Sequence, residues 1–268
     1  MFAATSRSEP QRSRGALRLG FETLDGRTRL ARRFEEGCAK VRLPRGGADA
    51  ILINTAGGLT GGDRLSIEAA AGAGASGLLT SQACERVYRA AEGEAAVAIR
   101  LSVAPGARLD WVPQETILFD RGRLVRTLEA DLTGDAALLL CEAVIFGRHA
   151  MGETVASGFL HDCWRVRRDG RLVLAEDFRL DGAIASRLAR PAVLGGGAAC
   201  ATLALLAPDA ERHLDAVREA VEPLGAASAW DQKLVARVVA PDGLALRRVL
   251  SPLLTILLGR PLPRVWTL

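Results

Sequence analysis

Histidine, lysine and aromatic residues are scarce in this chain, and its cysteines are not paired. Lysine occurs at Lys40 and Lys233, against 35 Lys and Arg in total, and there are 7 Phe, 4 Trp and 1 Tyr. The histidines and cysteines, none of the latter in a C-x-x-C motif, are His149, His161, His213, Cys38, Cys84, Cys141, Cys163 and Cys200. A zinc site needs three or four convergent ligands, and a disulfide scaffold needs paired cysteines. The scattered cysteines and histidines therefore argue against both. Unpaired cysteines also predict that the protein is located in a reducing compartment, the cytoplasm.

Long hydrophobic runs are also lacking. The longest uncharged stretch, residues 191–208, is broken by Gly195, Gly196 and Gly197 and is too short to span a bilayer. Residues 1–14 are rich in Ser and Arg without the apolar segment of a secretory signal. We therefore expect a soluble protein with a disordered tail at 1–14 and one domain at 15–268.

The charge balance does not point to nucleic acid. The net charge is +4, and arginines occur in short clusters such as Arg32-Arg33 and Arg247-Arg248. No aromatic residues interleave with these clusters, as a stacking platform for bases requires. We expect a solvated surface and no nucleic-acid partner.

Short strand patterns fill the chain from about residue 15 to 180. Apolar runs such as Ala50–Asn54 and alternating ones such as Val97–Val103 are separated by turn signals about every ten residues. The segment Arg168-Asp169-Gly170 predicts a hairpin turn. Helical spacing is nearly absent here, which favours stacked or coiled antiparallel sheets.

The last quarter predicts two helices. Asp209 can cap a helix through Leu224, and Leu244–Leu258 makes a second helix that contains Pro252. A strand at residues 234–239 lies between them. The sequence thus predicts a mainly β protein with two α-helices in its C-terminal quarter.

No catalytic constellation is found. A literal G-x-G-x-x-G at Gly72, Gly74 and Gly77 lacks the strand and helix of a dinucleotide site, so it predicts a turn between strands. There is no G-x-x-x-x-G-K-[ST] and no G-x-S-x-G. We expect a protein that is not an enzyme.

The most distinctive segment is a glycine-rich loop. It follows the run 50–54 and contains four glycines in six residues before Asp63; these are Gly57, Gly58, Gly61 and Gly62. Such a loop is compatible with a tight β turn with an Asx cap. The glycine density exceeds what a plain turn requires, and the loop presents Asp63 at the start of the next strand.

With this loop and further motifs in order along the chain, the sequence resembles the urease accessory protein UreD (UreH) family. The matching residues are Gly57, Gly58, Gly61, Gly62, Asp63 and Leu65; Leu78, Leu79, Thr80, Gln82, Ala83, Tyr88 and Arg89; Trp111, Pro113, Gln114, Glu115 and Ile117; Gly147, Arg148, Ala150, Gly152 and Glu153; and Pro263, Arg264 and Trp266. Cys84 and Arg86 depart from the usual Ala and Lys of the pattern.

The resemblance implies a non-enzymatic chaperone with a mostly β fold, a helical-like stack of sheets with two helices. It implies binding to the urease apoenzyme and to the accessory proteins UreF and UreG, a GTPase, with a dimer of heterocomplexes expected. It also implies delivery of nickel to the urease active site. No tightly bound cofactor is expected, only transient Ni²⁺.

Carboxylates are the candidate residues for a transient nickel path, because they hold this ion more weakly than thiolate or multi-histidine sites. The candidates are Asp63, Glu115, Glu142, Glu153 and Glu176. Each has the alternative role of a structural partner for an arginine, and Arg148 with Glu153 is an obvious pair.

Arg264 and Trp266 are candidates for a partner interface, because Trp and Arg anchor interfaces. The alternative is that Trp266 packs in the core of its own chain. Two rival functions stay open at this stage. One is an enzyme with an acid/base pair such as Glu115 and Glu153; the other is a β-rich interaction scaffold without metal transfer.

Overall fold

From residue 49 to residue 168 the backbone coils so that the long strands join two facing sheets in turn. The computed structural model describes residues 12–44, 48–148 and 151–267. The strands are β1 (Arg14–Leu24), β2 (Arg27–Gly37), β3 (Ala39–Arg42), β4 (Asp49–Asn54), β5 (Arg64–Ala71), β6 (Ser76–Ser81), β7 (Glu85–Val87), β8 (Ala95–Val103), β9 (Arg108–Trp111), β10 (Thr116–Leu118), β11 (Arg123–Leu132), β12 (Ala137–Phe146), β13 (Gly158–Arg168), β14 (Arg171–Gly182), β15 (Ala199–Leu206), β16 (Gly225–Trp230) and β17 (Lys233–Ala240).

The helices are α1 (Ile184–Leu188), α2 (Leu214–Val221) and α3 (Gly243–Leu258), with 3₁₀ turns at Ala210–His213 and Arg264–Trp266. The first sheet has the order β14-β13-β11-β8-β5-β1-β2. The second has the order β16-β17-β15-β12-β9-β6-β4-β3, with β10 paired to β12 and β7 paired to β10. The prediction of a mainly β protein with stacked sheets and two helices longer than one turn in the last quarter is confirmed.

Strand direction is a correction to the predicted antiparallel sheets. Neighbours along β13-β11-β8-β5-β1 and along β12-β9-β6-β4 run parallel. Antiparallel pairs occur where the chain turns back within one sheet, as in β1–β2 and β13–β14. Because each coil contributes one strand to each sheet, every second strand returns to the same sheet in the same direction. The strand of the opposite sheet serves as the crossover that parallel neighbours require.

Turns of successive coils stack into a column. Gly74 donates its amide to the carbonyl of Pro105 at 3.3 Å, Gly106 to Asp135 Oδ1 at 2.7 Å, and Gly134 to Asp169 Oδ1 at 3.0 Å. The three glycines have φ between 58° and 67°, a conformation that glycine adopts without strain. Residues 72–75 are therefore the turn between β5 and β6 that the sequence predicts, whereas Gly77, the last glycine of that motif, lies in β6.

The core lies between the two sheets and is built mainly from Leu, Val and Ala. Along β8 the buried residues alternate from Ala95 to Val103, as one face of a strand requires. A second cluster covers the outer face of the second sheet with α2 and α3; it includes Val217, Val221, Leu246, Leu250, Leu253, Leu254 and Leu257. Each of these large side chains contributes about 1.5–3 kcal/mol by burial.

Helix boundaries depend on local caps. Asp242 Oδ1 accepts the amide of Ala245 at 2.8 Å and starts α3, and Gly259 ends it with φ 65°. Asp209 makes no such side-chain bond, and its segment is a 3₁₀ turn leading into a helix that ends at Val221. Within the described residues, no helix combines the length and the apolar character that crossing a bilayer demands.

Part of the predicted tail belongs to the folded body. Arg14 begins β1, and the amide of Ser13 donates to Asp63 Oδ1. The rest of the tail, 1–11, lies outside the described residues, as do His149 and Ala150.

Candidate functional site

The glycine loop between β4 and β5 lies against the Tyr88 segment. The amide of Leu59 donates to the carbonyl of Arg86 at 2.7 Å, and the amide of Tyr88 donates to the carbonyl of Leu59 at 2.8 Å. A Cβ on Gly58 would come within 2.4 Å of the Tyr88 ring, and one on Gly61 within 2.0 Å of a backbone oxygen. A side chain at Gly58 would push the loop away from Tyr88, and one at Gly61 would push it away from the backbone of Glu92, so the close packing of the loop requires glycine at both positions.

Asp63 closes this loop. Its side chain is 4% exposed; Oδ1 accepts the amide of Ser13 and Oδ2 that of Thr60, both at 2.8 Å. Gly62 at φ 89° directs the chain into this arrangement. These two bonds give Asp63 the structural role of closing its turn and fastening residue 13, but not as the Asx cap considered from the sequence, because the amide that it accepts within the turn lies three residues before it and not two residues after it.

A cavity of about 250 Å³ lies between the two sheets beside the loop. Its walls include apolar residues of β1, β5, β8 and β11. Its polar lining includes Asn54 with Glu85, the thiol of Cys84, and Thr116 with Arg126 and Glu142. Its lining also includes exposed residues of the loop and the following motif, among them Gly57, Gln82 and Arg86. The cavity therefore reaches from the surface at the glycine loop to buried charges between the sheets.

Three buried charged side chains and two tryptophans form a continuous chain of contacts across the core. Trp111 Nε1 donates to Glu142 Oε1 at 2.8 Å, and Trp164 Nε1 donates to Asp162 Oδ1 at 3.1 Å. Arg126 lies between the carboxylates, with Nη1 2.6 Å from Glu142 Oε2 and Nη2 2.5 Å from Asp162 Oδ2. We call these residues the buried network.

The buried network is incompletely compensated. Arg126 Nε and Glu142 Oε2 have no aligned hydrogen-bond partner in the described part of the chain, although Oε2 lies close to the guanidinium. Burial raises the pKa of Glu142 above its usual range in spite of Arg126. With both carboxylates ionised the network carries one more negative charge than positive, so it has the electrostatics to accept a proton or a cation.

Glu85 is a cavity carboxylate that the sequence analysis missed. Its two oxygens each accept from Asn54 Nδ2 at 3.2 Å, and burial raises the pKa of Glu85 to about 6. Glu85 could have been found from its position in the Gln82–Tyr88 motif. It lies two residues before the buried Val87 on β7, so both side chains are on the same face of that strand.

Glu115 ties helix α3 to the second sheet. Its side chain is 1% exposed and forms an ion pair with Arg247, whose Nε donates to Oε1 at 3.0 Å. Arg247 Nη2 also donates to Gln114 Oε1 at 2.8 Å, and Gln114 Nε2 donates to the carbonyls of Gln82 and Val265 at 2.9 and 3.0 Å. The Gln-Glu motif thus joins a strand, a helix and the C-terminal tail.

The C-terminal tail is anchored by its tryptophan. Trp266 is 3% exposed, and its Nε1 donates to Thr80 Oγ1 at 3.0 Å. This placement matches the alternative of packing in its own core, whereas Arg264 is exposed.

The other predicted residues lie apart from the cavity or on its rim. Glu153 accepts from Arg148 Nε at 2.8 Å, the predicted pair, and this bond lowers the pKa of Glu153. Glu176, on the edge strand β14 of the first sheet, pairs with Arg237 on β17 of the second sheet. Pro113 lines the cavity, and the carbonyl of Arg89 accepts from Thr60 Oγ1 at 2.9 Å. Of the five predicted carboxylates, Glu142 is the one in the cavity lining, and each of the others has a backbone or arginine partner.

Comparison with known proteins gives one family. The family model described as "UreD urease accessory protein" matches residues 13–267. A urease accessory protein UreD of Rhizobium etli is 49% identical over 273 residues, covering 100% of both chains. The UreD proteins of Mesorhizobium japonicum and Brucella suis are 51% and 48% identical over 266 residues, covering 96% of this chain and 95% of each relative.

Proposed function

Since the chain belongs to the UreD family of urease accessory proteins, we propose that it is a non-enzymatic chaperone of urease maturation. In this proposal it binds the urease apoenzyme together with UreF and the GTPase UreG in the cytoplasm, as a dimer of heterocomplexes, and Ni²⁺ passes through it as cargo. The cavity between the sheets is the route that we propose for the ion.

The observation that carries the proposal is the cavity itself, which leads from the exposed glycine loop to a carboxylate with incomplete compensation. Glu85 and Glu142 offer oxygen ligands along it, and both have raised pKa values because of burial. A divalent cation in the cavity would offset the cost of ionising them.

The chemistry of the lining favours passage over storage. Burial raises the pKa of the Cys84 thiol to about 12, so at neutral pH the cavity holds a thiol and not a thiolate. Carboxylate and amide oxygens bind Ni²⁺ less tightly than thiolate and imidazole ligands do. A relay needs such an exchangeable site.

The test is nickel-dependent urease activation with purified urease apoenzyme and the complete accessory set. Glu85→Gln and Glu142→Gln keep the shape of the side chain and remove its charge. We expect both variants to form the accessory complex and to leave urease poor in nickel. The matched control is Glu129→Gln, since Glu129 is 55% exposed on the outer face of β11 and is not part of the cavity lining.

The second candidate function is a β-rich scaffold without metal transfer. The backbone, arginine and packing partners of Asp63, Glu115, Glu153 and Glu176 favour it, because these carboxylates hold elements together. If both cavity variants gave urease its full nickel content, the route through the cavity would be excluded. The chain would then act in urease maturation as a scaffold that does not transfer metal.

A further inference from the structure

A second group of metal-ligand side chains lies on the outer face of the first sheet. In the described part of the chain, His161, Cys163 and Asp177 offer ligand atoms that all lie within 4.8 Å of one another. His161 and Cys163 alternate along β13, and Asp177 is directly opposite Cys163 on β14. The strand β13 is paired on both sides, with β11 and β14, so the backbone that carries these side chains is held in place.

This face is separate from the buried network. Asp162 and Trp164 of the same strand point into the core, whereas His161 and Cys163, which alternate with them, are partly exposed. The side chain of His161 is 29% exposed and that of Asp177 is 48% exposed. An ion from solvent can therefore reach all three ligands without passing through the cavity.

We propose that His161, Cys163 and Asp177 form a surface site for a divalent transition-metal ion of the Co²⁺, Ni²⁺ and Zn²⁺ class. An imidazole, a thiolate and one carboxylate select such ions over Mg²⁺ and Ca²⁺, which prefer oxygen ligands alone. At metal–ligand distances of about 2.0–2.3 Å, tetrahedral ligand atoms lie about 3.3–3.8 Å apart, so shifts of about 1 Å bring the three together.

The neighbouring contacts leave one carboxylate oxygen for the metal. Asp177 Oδ1 lies 2.9 Å from His161 Nε2, and Oδ2 accepts from Arg165 Nη2 at 2.6 Å. Arg165 is also held by the carbonyls of Trp164 and Glu176, through Nη1 at 2.7 and 3.0 Å. The guanidinium can thus stay on Oδ2 and orient the carboxylate while Oδ1 binds the metal.

Metal binding releases one proton from this group of side chains. His161 takes the tautomer with its proton on Nδ1, which frees Nε2 as a ligand. The Cys163 thiol gives its proton to solvent as the metal–sulfur bond forms. Three protein ligands leave at least one coordination position open to water or to a donor from another molecule.

The test is titration of the purified full chain with Co²⁺ alone, followed by absorption spectroscopy. We expect a near-ultraviolet sulfur-to-cobalt charge-transfer band at one equivalent. Cys163→Ser should abolish the band, and His161→Gln and Asp177→Asn should weaken Co²⁺ binding by at least about tenfold, as loss of even a supporting group does. The matched control is Cys38→Ser, which removes another partly exposed thiol and should change nothing.

Two results would overturn the proposal. One is the absence of a thiolate band in the wild-type protein; the other is a band that survives in Cys163→Ser or disappears in Cys38→Ser. Because the assay contains neither urease nor nickel, these results are independent of the function proposed above.

Discussion

Replacing Arg126 by methionine removes the positive charge that separates Glu142 from Asp162 in the buried network. The guanidinium lies 2.6 Å and 2.5 Å from the two carboxylates and donates to Thr116 Oγ1 at 3.0 Å. Arg126 is 5% exposed, and methionine supplies neither a charge nor a hydrogen-bond donor in its place. Removing one partner of a buried ion pair destabilises a protein by about 3–5 kcal/mol.

The assay is unfolding followed by tryptophan fluorescence, since Trp111 and Trp164 are hydrogen-bonded to the two carboxylates. For a protein of this size each kcal/mol lowers the melting midpoint by about 2–4 °C, so we expect a decrease of about 6–20 °C. A triple variant that adds Glu142→Gln and Asp162→Asn removes the uncompensated charges and keeps an oxygen for each indole. It should recover at least about half of the lost stability.

The loss in Arg126→Met should also depend on pH. Burial already raises the pKa of Glu142, and removing the guanidinium that opposes this shift raises that pKa further, so the folded protein binds more protons than the unfolded chain. Stability then falls as pH rises, and the deficit relative to wild type should shrink from neutral pH toward about pH 5. A loss below about 1 kcal/mol, or a triple variant no more stable than the single one, would refute this account of the network.

Three further predictions concern the loop, the cavity and the tail. Gly58 has a φ of 149°, and in Gly58→Ala the new Cβ would lie 2.4 Å from a carbon of the Tyr88 ring. We therefore expect the free energy of unfolding, measured by chemical denaturation, to fall by about 1–3 kcal/mol. Gly26→Ala, at φ 70° in open space, is the control, because it has the backbone strain without the clash; it should lose less stability than Gly58→Ala, and equal losses would contradict the steric argument. Burial raises the pKa of Glu85 to about 6, so its contribution to stability is present below its unfolded pKa and is lost as pH rises through about 6. Glu85→Gln should therefore flatten the pH profile of the melting midpoint in that range, and an unchanged slope would count against the raised value. Trp266→Ala should destabilise the protein by about 3–5 kcal/mol and Trp266→Phe by far less, measured by the same unfolding assay; a neutral alanine variant would mean that the tail does not anchor in the core.

The sequence predicts the elements of this fold well, because alternation and turn residues are local signals. The alternating run 97–103 is part of β8, and Asp169-Gly170 is the turn between β13 and β14. Strand direction could not be predicted in the same way. A glycine turn such as 72–75 looks the same whether it returns the chain to the same sheet or carries it to the opposite one, and here it does the latter.

The site was predicted through motifs, which mark positions but not contacts. Asp63, Glu115 and Trp266 occur in recognisable patterns, and the structure shows that all three fasten segments that are distant in sequence. Arg126 belongs to the cavity but lacks a conspicuous local pattern, and the motif that contains Glu85 does not mark that residue as part of a cavity. Their roles depend on which strands face each other, a property of the coil and not of any single segment.

The most direct test of the central claim is to fill the cavity without changing its charges. Val97 lines it from β8 and is 8% exposed. Val97→Phe places a ring in the space at a cost of about 1–3 kcal/mol, and Val97→Ala enlarges the space as the matched control. With the accessory complex intact in both variants, the nickel content of urease is measured after activation. Passage through the cavity predicts nickel-poor urease with Val97→Phe and normally loaded urease with Val97→Ala. Normal loading with Val97→Phe would contradict it.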